Sequence, residues 1–482
     1  MPSKKKKTTT KAKTHPVRKP AARPRRVAPN LVETLRAAIS GPVTGPDDAG
    51  YDAARQLFYR KFDRRPGAIA YPTNAADVAA VIGLARGVGL PLAVRGGGHS
   101  VAGFSTTDGG IVLNLESMKA LEFDLPGRTA WAEAGLTAGE YTRAAGAHGL
   151  ATGFGDTGTV GIGGLTLGGG IGFLARKFGL TIDDLLAAEI VTADGNVLSI
   201  DAQSHPDLFW AIRGGGGNFG VVTRFKFRLH ELQSIIGGML VLSGAPDVIA
   251  AFIAEALAAP DELSTIANVM KAPPMPFLPE SAHGKPFIMA LLAWSGDSAA
   301  GEAVLARLRS IAPPLADMLR PMRYPELYTM FGEETGPGPA QGISRSMFLN
   351  DVDRRTAEII LEHVNASTAM LAVAQLRVLG GALARVPADS TAFAHRSNRI
   401  MATLGNIYEN ADDTPVQQAW LDAFLAALDQ GVAGAYSNFL EGDGIGTVRL
   451  AYPGQTYERL AEIKRRYDPT NLFRLNHNIA PA

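Results

Sequence analysis

Hydrophobic positions in the first half of the chain recur with two different periods, which predicts a mixture of helices and strands. Residues 75–88 have apolar side chains three and four positions apart, and Thr73 or Asn74 can cap the helix that this spacing predicts. Short apolar runs bounded by turn residues predict strands. The predicted elements that follow are strands at 91–94, 111–115 and 130–134, a helix at 138–148, a hairpin at 187–200 around an Asp194-Gly195 turn, a helix at 207–212 and a strand at 221–229.

Beyond about residue 235 glycine becomes scarcer, and strand-like and helix-like segments alternate to about residue 430. Strands are predicted at 239–242, 266–270, 287–294, 372–379 and 400–407, and helices at 248–258, 300–311, 356–366 and 416–428. This pattern predicts an antiparallel sheet covered by helices, with a core of its own. A further helix is predicted at 457–466, and we expect the apolar run after it to dock on the first half of the chain.

Glycine is concentrated in segments that the periodicity alone does not explain. "RGGGHS" (95–100) follows a predicted strand and ends in His99 and Ser100, and ten of the twenty residues at 153–172 are glycine. A third run lies at 214–217. Glycine-rich backbone loses much conformational entropy on folding, yet apolar residues interleave at 153–172, so we expect packed backbone rather than a linker. Such a backbone allows a ligand to lie almost against it.

Composition restricts the kind of protein. A chain of 482 residues predicts two domains, and 46% hydrophobic with 19% charged residues is typical of a soluble globular protein. No apolar run approaches the roughly 18 residues of a membrane helix. The absence of cysteine excludes disulfides, iron–sulfur clusters and thiol nucleophiles, and it is compatible with a cytoplasmic location. The histidines show no close pairing, so no metal site is expected.

Charge is distributed unevenly. Residues 1–26 contain eleven Lys or Arg and no acidic residue, whereas the remainder has 36 basic and 46 acidic residues. We predict a disordered basic tail at 1–28. Nucleic-acid binding by this tail is an alternative, but the acidic remainder of the chain does not favour it.

Two nucleotide-binding motifs are alternative explanations of the glycine segments. Residues 170–175 match the G-x-G-x-x-A pattern of dinucleotide-binding folds, and Glu189 follows at a suitable distance. That pattern must follow a parallel strand, however, and here more glycines precede it. A P-loop is excluded because no G-K-[S/T] is present.

Seven segments together resemble a known family. They are "RGGGHS", "TVGIGGLTLGGGIG", "RKFGLTIDDLL", "EIVTADG", "DLFWAIRGGGGNFGVVTRF", "YSNFLEGDG" and "RRYDPTNLFRLNHNIAP". The first five resemble the FAD-binding domain of the vanillyl-alcohol-oxidase/p-cresol-methylhydroxylase (PCMH) superfamily. The last two narrow the resemblance to its berberine-bridge-enzyme-like branch. The resemblance is dense over 50–235 and 430–482 and weak between them.

The resemblance implies an α+β fold: a two-subdomain PCMH-type FAD-binding domain plus an antiparallel-sheet substrate domain covered by helices. We therefore expect a FAD-binding domain at 29–235, a substrate-binding domain at 236–430, and a C-terminal segment at 431–482 that packs back on the FAD-binding domain.

The resemblance also implies which residues hold the cofactor. His99 would be joined covalently to the 8α-methyl carbon of the flavin, although a histidine that merely hydrogen-bonds a phosphate is the alternative. Glycines 96–98 would donate backbone amides to the pyrophosphate, the later glycines would let the ring lie on bare backbone, and Ile190 and Val191 would face the adenine. The expected cofactor residues are Arg95, Gly96, Gly97, Gly98, His99, Ser100, Gly103, Thr157, Val160, Gly163, Gly164, Gly168, Gly169, Gly170, Ile190, Val191, Asn438, Asn476 and Asn478.

Two departures from relatives bear on the chemistry. Some relatives attach the flavin a second time through a cysteine at the position of Thr157, so we expect a single link here. Val160 is smaller than the isoleucine that tends to close the oxygen path, which favours an oxidase that reduces O2 to hydrogen peroxide. A dehydrogenase with another electron acceptor is the alternative.

The implied reaction is hydride transfer from a small alcohol, sugar or amine to flavin N5, with a protein base taking the second proton. The tyrosine that several relatives use as the base corresponds to Phe439, which cannot accept a proton. A non-catalytic flavin-binding protein is therefore a further alternative. Arg345 stands where many relatives have lysine, and at a pocket rim it would favour a polar or anionic substrate. The substitute bases considered are Tyr436, Tyr408, Tyr328 and His395.

Overall fold

The computed structural model describes residues 30–330, 341–442 and 444–482, so the predicted basic tail at 1–28 lies outside the described residues. A small mixed sheet begins the described chain. Its strand order is Val43–Thr44, Ala68–Ala70, Ile111–Asn114 and Leu92–Arg95, with one antiparallel and two parallel pairings. The helix Ala75–Val88 is confirmed, and its cap is Asn74, whose side chain accepts a hydrogen bond from the amide of Asp77.

A five-stranded antiparallel sheet forms the second part of the first half. Its order is Leu121–Asp124, Thr129–Glu133, Val221–Arg228, Leu185–Val191 and Val197–Asp201. The last two strands are the hairpin that the Asp194-Gly195 turn predicts, and Gly195 has the positive φ of 90° that such a turn requires. A two-residue ribbon pairs His230–Glu231 with Leu150–Ala151.

The largest sheet is antiparallel and confirms all five strands predicted for the second half. Its order is Ala316–Asp317, Ile235–Ser243, Pro286–Trp294, Leu263–Lys271, Leu371–Val378, Ile400–Tyr408 and Gln341–Leu349, with Arg320–Met322 paired to the second strand. The helices packed on it are Pro246–Ala258, Ser298–Arg309, Arg354–Ala366 and Thr414–Leu428.

One face of this sheet is left free of those helices. Along the strand Leu371–Val378, alternate residues point to opposite faces. Ala374, Leu376 and Val378 join the core under the helices, while the residues between them face a cavity. One side of the sheet is therefore packed against helices, and the other side faces the cavity.

The glycine-rich segment is packed backbone, as predicted, but it contains a helix that the sequence did not predict. The helix Ile162–Gly168 begins at Gly161, and Ile162 and Leu165 anchor it in the core of the first half. Thr137, which caps the next helix back in the chain through a capping box with Glu140, forms an isolated bridge with Gly161. The glycine helix is thus fixed against the five-stranded sheet.

The C-terminal residues share the core of the first half. The helix Gln455–Tyr467 contributes Leu460 and Ile463, and the run behind it contributes Phe473 and Ile479. The remaining described helices are Leu31–Ala38, Tyr51–Ala54, Ala138–Gly146, Ala175–Phe178, Pro206–Ile212, Tyr324–Leu327, Ala382–Arg385 and Ile445–Ala451.

Candidate active site

A cavity of about 570 Å³ lies between the glycine segments and the free face of the large sheet. This volume is in the range of small-molecule and cofactor sites. The sheet contributes residues from three adjacent strands, and the first half contributes the loop after the strand Leu92–Arg95, the glycine helix and the run around Gly217. The C-terminal segment closes the remaining side with residues 436–441 and 473–477.

Glycine is required at the cavity for two different reasons, close backbone contact and open space. A Cβ on Gly97 would lie 2.3 Å from the backbone nitrogen of Gly161, and a Cβ on Gly161 would lie 2.2 Å from that of Gly97, so the two loops touch backbone to backbone. A Cβ on Gly164 would meet nothing within 4 Å. Gly164 therefore leaves space at the cavity wall for a flat group, whereas Gly97 and Gly161 make the wall itself.

His99 lines the cavity directly beside this contact. Its ring stacks on Phe58, with centroids 4.3 Å apart, and it is hydrogen-bonded to the backbone of Thr159. Burial lowers the pKa of His99 to about 4, because desolvation disfavours the charged form. The imidazole is therefore neutral at physiological pH, which is the state of a nucleophile or a hydrogen-bonding partner.

The structure brings eleven of the expected cofactor residues to the cavity wall. They are Gly96, Gly97, Gly98, His99, Ser100, Thr157, Val160, Gly163, Gly164, Asn438 and Asn476. Asn438 donates from Nδ2 to the carbonyl of Leu165 on the glycine helix at 3.1 Å. Asn476 donates to the carbonyl of Gly217 at 3.1 Å. The C-terminal asparagines thus hold the glycine backbone in place from the cavity side.

The other expected cofactor residues do not line the cavity. Arg95 donates to the carbonyls of Ser105 and Ala54 behind the loop. Ile190 and Val191 are buried in the core, and the neighbouring strand supplies Val221 and Val222 to the wall instead. The rest of this group also lies outside the cavity lining and consists of Gly103, Gly168, Gly169, Gly170 and Asn478.

Of the four substitute bases, Tyr436 is the one that lines the cavity. Its phenol oxygen accepts hydrogen bonds from the amide of Gly170 at 3.0 Å and from Nδ2 of Asn438 at 2.9 Å, and also from the amide of Ile171. Burial raises the pKa of Tyr436. Because donors already occupy the oxygen, the phenol has no lone pair left for a substrate proton. This geometry suits a structural role, in which Tyr436 holds the backbone just after the glycine helix in position.

The other three candidates are engaged outside the cavity. Tyr408 is hydrogen-bonded to Thr414 at 3.0 Å under the helices. Tyr328 donates to the carbonyls of Phe154 and Gly155, both at 3.0 Å. His395 is hydrogen-bonded to the carbonyl of Ala451 at 3.1 Å. The expectation that one of these side chains reaches the substrate is therefore not supported by their positions.

Sequence reasoning missed the charged residues of the cavity. Arg377 and Asp156 form an ion pair within it, and the guanidinium lies 5.3 Å from the ring centroid of Phe439. Glu441 lies on the wall and pairs with Lys61 at 3.0 Å and with Arg345 at 3.6 Å. Arg345 itself does not line the cavity. The available signal was polar residues at 375 and 377, on one face of an otherwise apolar strand, and a lone acid among the glycines at 156.

The residues at the cavity fit FAD. A cradle of bare glycine backbone is open at Gly164, and Oγ1 of Thr403 is buried at the wall without a partner among the described residues. Such an atom suits the polar edge of a ring or a substrate, and the apolar wall suits a flat aromatic body. In the described part of the chain, no helix combines the length and the apolarity needed to cross a membrane.

Comparisons with known proteins give the same identification. A family model described as an FAD binding domain matches residues 66–201, and one described as berberine and berberine like matches 435–480. (R)-6-hydroxynicotine oxidase of Paenarthrobacter nicotinovorans is 32% identical over 92% of this chain and 97% of its own length. Glucooligosaccharide oxidase of Sarocladium strictum is 35% identical over 43% of this chain and 42% of its own length.

The solved structures agree in fold. The crystal structure of 6-hydroxy-D-nicotine oxidase from Arthrobacter nicotinovorans superposes with a TM-score of 0.81 at 28% identity, covering 92% of this chain and 98% of that one. Xylooligosaccharide oxidase from Myceliophthora thermophila gives a TM-score of 0.81 at 23% identity, with coverages of 93% and 99%. The glycine-lined cavity fits FAD, and these relatives match nearly the whole chain. The chain therefore belongs to the berberine-bridge-enzyme-like family of FAD-dependent oxidoreductases.

Proposed function

We propose that this protein is an oxidase that carries FAD on a single covalent link to His99 and oxidises a small alcohol, sugar or amine in the cavity, with O2 as the electron acceptor. In this proposal residues 29–235 and 431–482 hold the cofactor, and residues 236–430 supply the substrate side. Bound FAD would supply the oxidising power by accepting a hydride at N5.

The observation that carries the proposal is the environment of His99. A neutral imidazole, held by Phe58 and the backbone of Thr159, lies on the wall of a glycine-lined cavity. A neutral ring can add to an electrophilic carbon, whereas a protonated ring cannot. Thr157 and Val160 line the same wall. Neither is a cysteine, which supports a single link, and the small Val160 side chain supports access for oxygen.

The link is tested by denaturation of the purified protein. Acid-precipitated wild-type protein should retain the yellow chromophore, and an in-gel flavin fluorescence band should disappear in His99→Asn. His205→Asn is the matched control, because His205 is exposed and lies outside the cavity wall. Release of all pigment from the wild type on precipitation would disprove the covalent link.

The reaction is tested by anaerobic flavin bleaching with a panel of sugars, alcohols and amines, followed by admission of oxygen. An oxidase re-oxidises within seconds and produces hydrogen peroxide. A dehydrogenase bleaches but recovers only when an artificial acceptor is added. Failure of every substrate class to bleach a yellow protein would contradict the proposed activity.

A further inference from the structure

A polar cluster joins the two sides of the cavity near the ring that replaces the tyrosine base of relatives. Asp156 belongs to the glycine-rich segment, and Arg377 to the strand Leu371–Val378. Both line the cavity, with side chains 21% and 5% exposed, and Nη2 of Arg377 donates to Oδ2 of Asp156. Tyr408, Tyr328 and His395 are engaged outside the cavity, and the phenol oxygen of Tyr436 is held by Gly170 and Asn438. Arg377 and Asp156, in contrast, form an ion pair beside Phe439.

The guanidinium of Arg377 is held in position by hydrogen bonds, but its Nη1 group still has donors to offer. Its Nε and Nη2 both donate to Oε1 of Gln375, at 3.0 and 2.7 Å, and Gln375 in turn donates to Asn268 at 2.9 Å. Nη1 has no hydrogen-bond partner among the described residues. Nη1 is not buried, so this donor is free to hydrogen-bond to water or to a ligand group in the cavity.

The carboxylate of Asp156 also keeps accepting capacity. Oδ1 accepts from the hydroxyl of Thr157 at 3.2 Å, and Oδ2 accepts from Arg377, while a carboxylate offers about four lone-pair sites. The backbone of Thr159, three residues on, is hydrogen-bonded to His99. Asp156 therefore lies on the same loop that contacts the proposed site of flavin attachment.

Taken together, the pair offers one donor and one acceptor side by side. A hydroxyl group can accept from Arg377 and donate to Asp156. An ammonium group has only donors, so it cannot accept from Arg377, and the two positive charges repel each other. We propose that Asp156 and Arg377 receive the hydroxyl group of an alcohol or hemiacetal substrate, with Asp156 as the proton acceptor and Arg377 as the residue that positions it. This inference rests on the proposed function and narrows its substrate class.

The rest of the sheet face indicates the body of the substrate. Further along the same face, Leu371 and Val373 lie beside Ile407 of the adjacent strand, and all three line the cavity. An apolar body would bury its surface there, while its hydroxyl carbon reaches the polar pair. The substrate class is thus a hydroxyl-bearing molecule with an apolar portion.

The step balances in atoms and electrons. The C–H bond of the hydroxyl carbon breaks, and its hydrogen leaves with the electron pair as a hydride to the flavin of the proposed function. The O–H bond breaks in the same event, and its proton goes to Asp156 as the C–O bond becomes a carbonyl. The substrate is oxidised by two electrons and the flavin is reduced by two. Once Asp156 has released this proton to solvent, the product carbonyl accepts a hydrogen bond from Arg377 alone of the two residues.

The experiment uses the purified flavoprotein and the hydroxyl compound that bleaches the wild type fastest. Asp156→Asn should lower the limiting rate of anaerobic bleaching by about 10²- to 10⁴-fold, the usual range for loss of a general base, with unchanged covalent flavin content. Asp156→Glu should retain part of the rate. Asp247→Asn is the matched control, since Asp247 forms an exposed pair with Arg354 outside the cavity wall. It should bleach at the wild-type rate.

Two readouts separate positioning from folding. Arg377→Ala should bleach slowly and recover part of its rate in millimolar guanidinium chloride, which a purely structural role would not allow. Binding of the carbonyl product, followed by the flavin difference spectrum, should weaken about tenfold in Arg377→Ala and little in Asp156→Asn.

The outcomes distinguish this inference from the proposed function. If Asp156→Asn bleaches within about threefold of the wild type, or if the wild type is bleached by amines and by no hydroxyl compound, the inference is wrong and the oxidase proposal stands. If no compound bleaches the wild type, the proposed function itself fails. If Asp156→Asn does not hold flavin, the rescue experiment on Arg377→Ala decides. Recovery of bleaching by guanidinium in folded Arg377→Ala supports the inferred role of the two residues, and no recovery overturns it.

Discussion

Replacing Lys464 with methionine should detach the C-terminal segment from the cavity wall. The side chains of Lys464 and Asp468 are both 0% exposed, and they form an ion pair at 2.7 Å on the helix Gln455–Tyr467 and just beyond its end. Nζ of Lys464 also donates to the carbonyls of Asn218 at 2.7 Å and Phe473 at 3.1 Å. One ammonium group therefore connects the C-terminal run to the turn that lines the cavity.

The loss in the free energy of unfolding follows from the carboxylate that Lys464→Met would leave unpaired. Asp468 would keep the amides of Leu472 and Phe473, at 2.8 and 2.9 Å, but it would lose its counter-charge in a fully buried place. Removing one partner of a buried pair typically costs 3–5 kcal/mol of the free energy of unfolding, because the remaining charge is uncompensated. With a urea slope of about 3 kcal/mol per molar, the midpoint should fall by roughly 1 to 1.7 M.

The assay is urea unfolding followed by tryptophan and flavin fluorescence. Arg449→Met is the matched control, because Arg449 forms an exposed pair with Glu458 in the same C-terminal region, and such pairs contribute about 0–1 kcal/mol. The double variant Lys464→Met/Asp468→Asn should recover part of the loss, since it removes the unpaired carboxylate. A Lys464→Met midpoint equal to that of Arg449→Met would refute the reasoning.

Three further predictions concern the cofactor side. Burial lowers the pKa of His99 to about 4, so the rate of covalent flavin attachment to apoprotein should be constant from pH 8 to about 5 and fall only near pH 4, as the ring is protonated. An ordinary histidine would lose half of this rate near pH 6.5. Reconstitution at each pH, followed by in-gel flavin fluorescence, measures the rate. Gly164→Ala should fold normally but bind little FAD, because its Cβ enters open cavity space, whereas Gly97→Ala should fail to fold, because its Cβ meets backbone at 2.3 Å; circular dichroism and flavin content distinguish the two. Tyr436→Phe should lower the free energy of unfolding by about 1–3 kcal/mol by leaving the amide of Gly170 unsatisfied, yet should slow bleaching less than tenfold, and a base role for Tyr436 would instead give a loss above about a hundredfold.

The fold could be predicted largely from the sequence because its elements follow local rules. The helix Ala75–Val88 depends on its own apolar spacing and on its Asn74 cap, and the hairpin depends on an Asp-Gly turn. The glycine helix Ile162–Gly168 was missed for the opposite reason. Glycine disfavours a helix, and tertiary contacts with Gly97 and with the five-stranded sheet override that preference.

The cofactor wall was predictable in part because its residues are neighbours along the chain. Gly96 to Ser100 form one continuous loop, so a motif placed all of them at the cavity together. Ile190 and Val191 lie in the core and not on the cavity wall, because a motif does not say which strand of a sheet faces the cavity. The adjacent strand supplies Val221 and Val222 to the wall instead.

The positions of the four substitute bases could not be predicted, because they depend on contacts between distant segments. Tyr328 is engaged by carbonyls more than 170 residues earlier in the chain, and His395 by a carbonyl 56 residues later. No local pattern contains that information. Arg377 and Asp156 are likewise 221 residues apart, although each stands out in its own segment as a polar residue among apolar or glycine neighbours.

The exchange of tyrosine for phenylalanine at position 439 and the ion pair above it have a common physical explanation. A phenol in this place would offer its own hydroxyl to the guanidinium and the carboxylate, and it would compete with a substrate hydroxyl for both. The Phe439 ring instead presents its face to Arg377 at 5.3 Å, which stabilises the cation without occupying any of its donors. Nη1 of Arg377 and the spare lone pairs of Asp156 therefore remain for a ligand. In the proposed reaction, Phe439 therefore leaves the carboxylate of Asp156 accessible to a substrate hydroxyl as the proton acceptor.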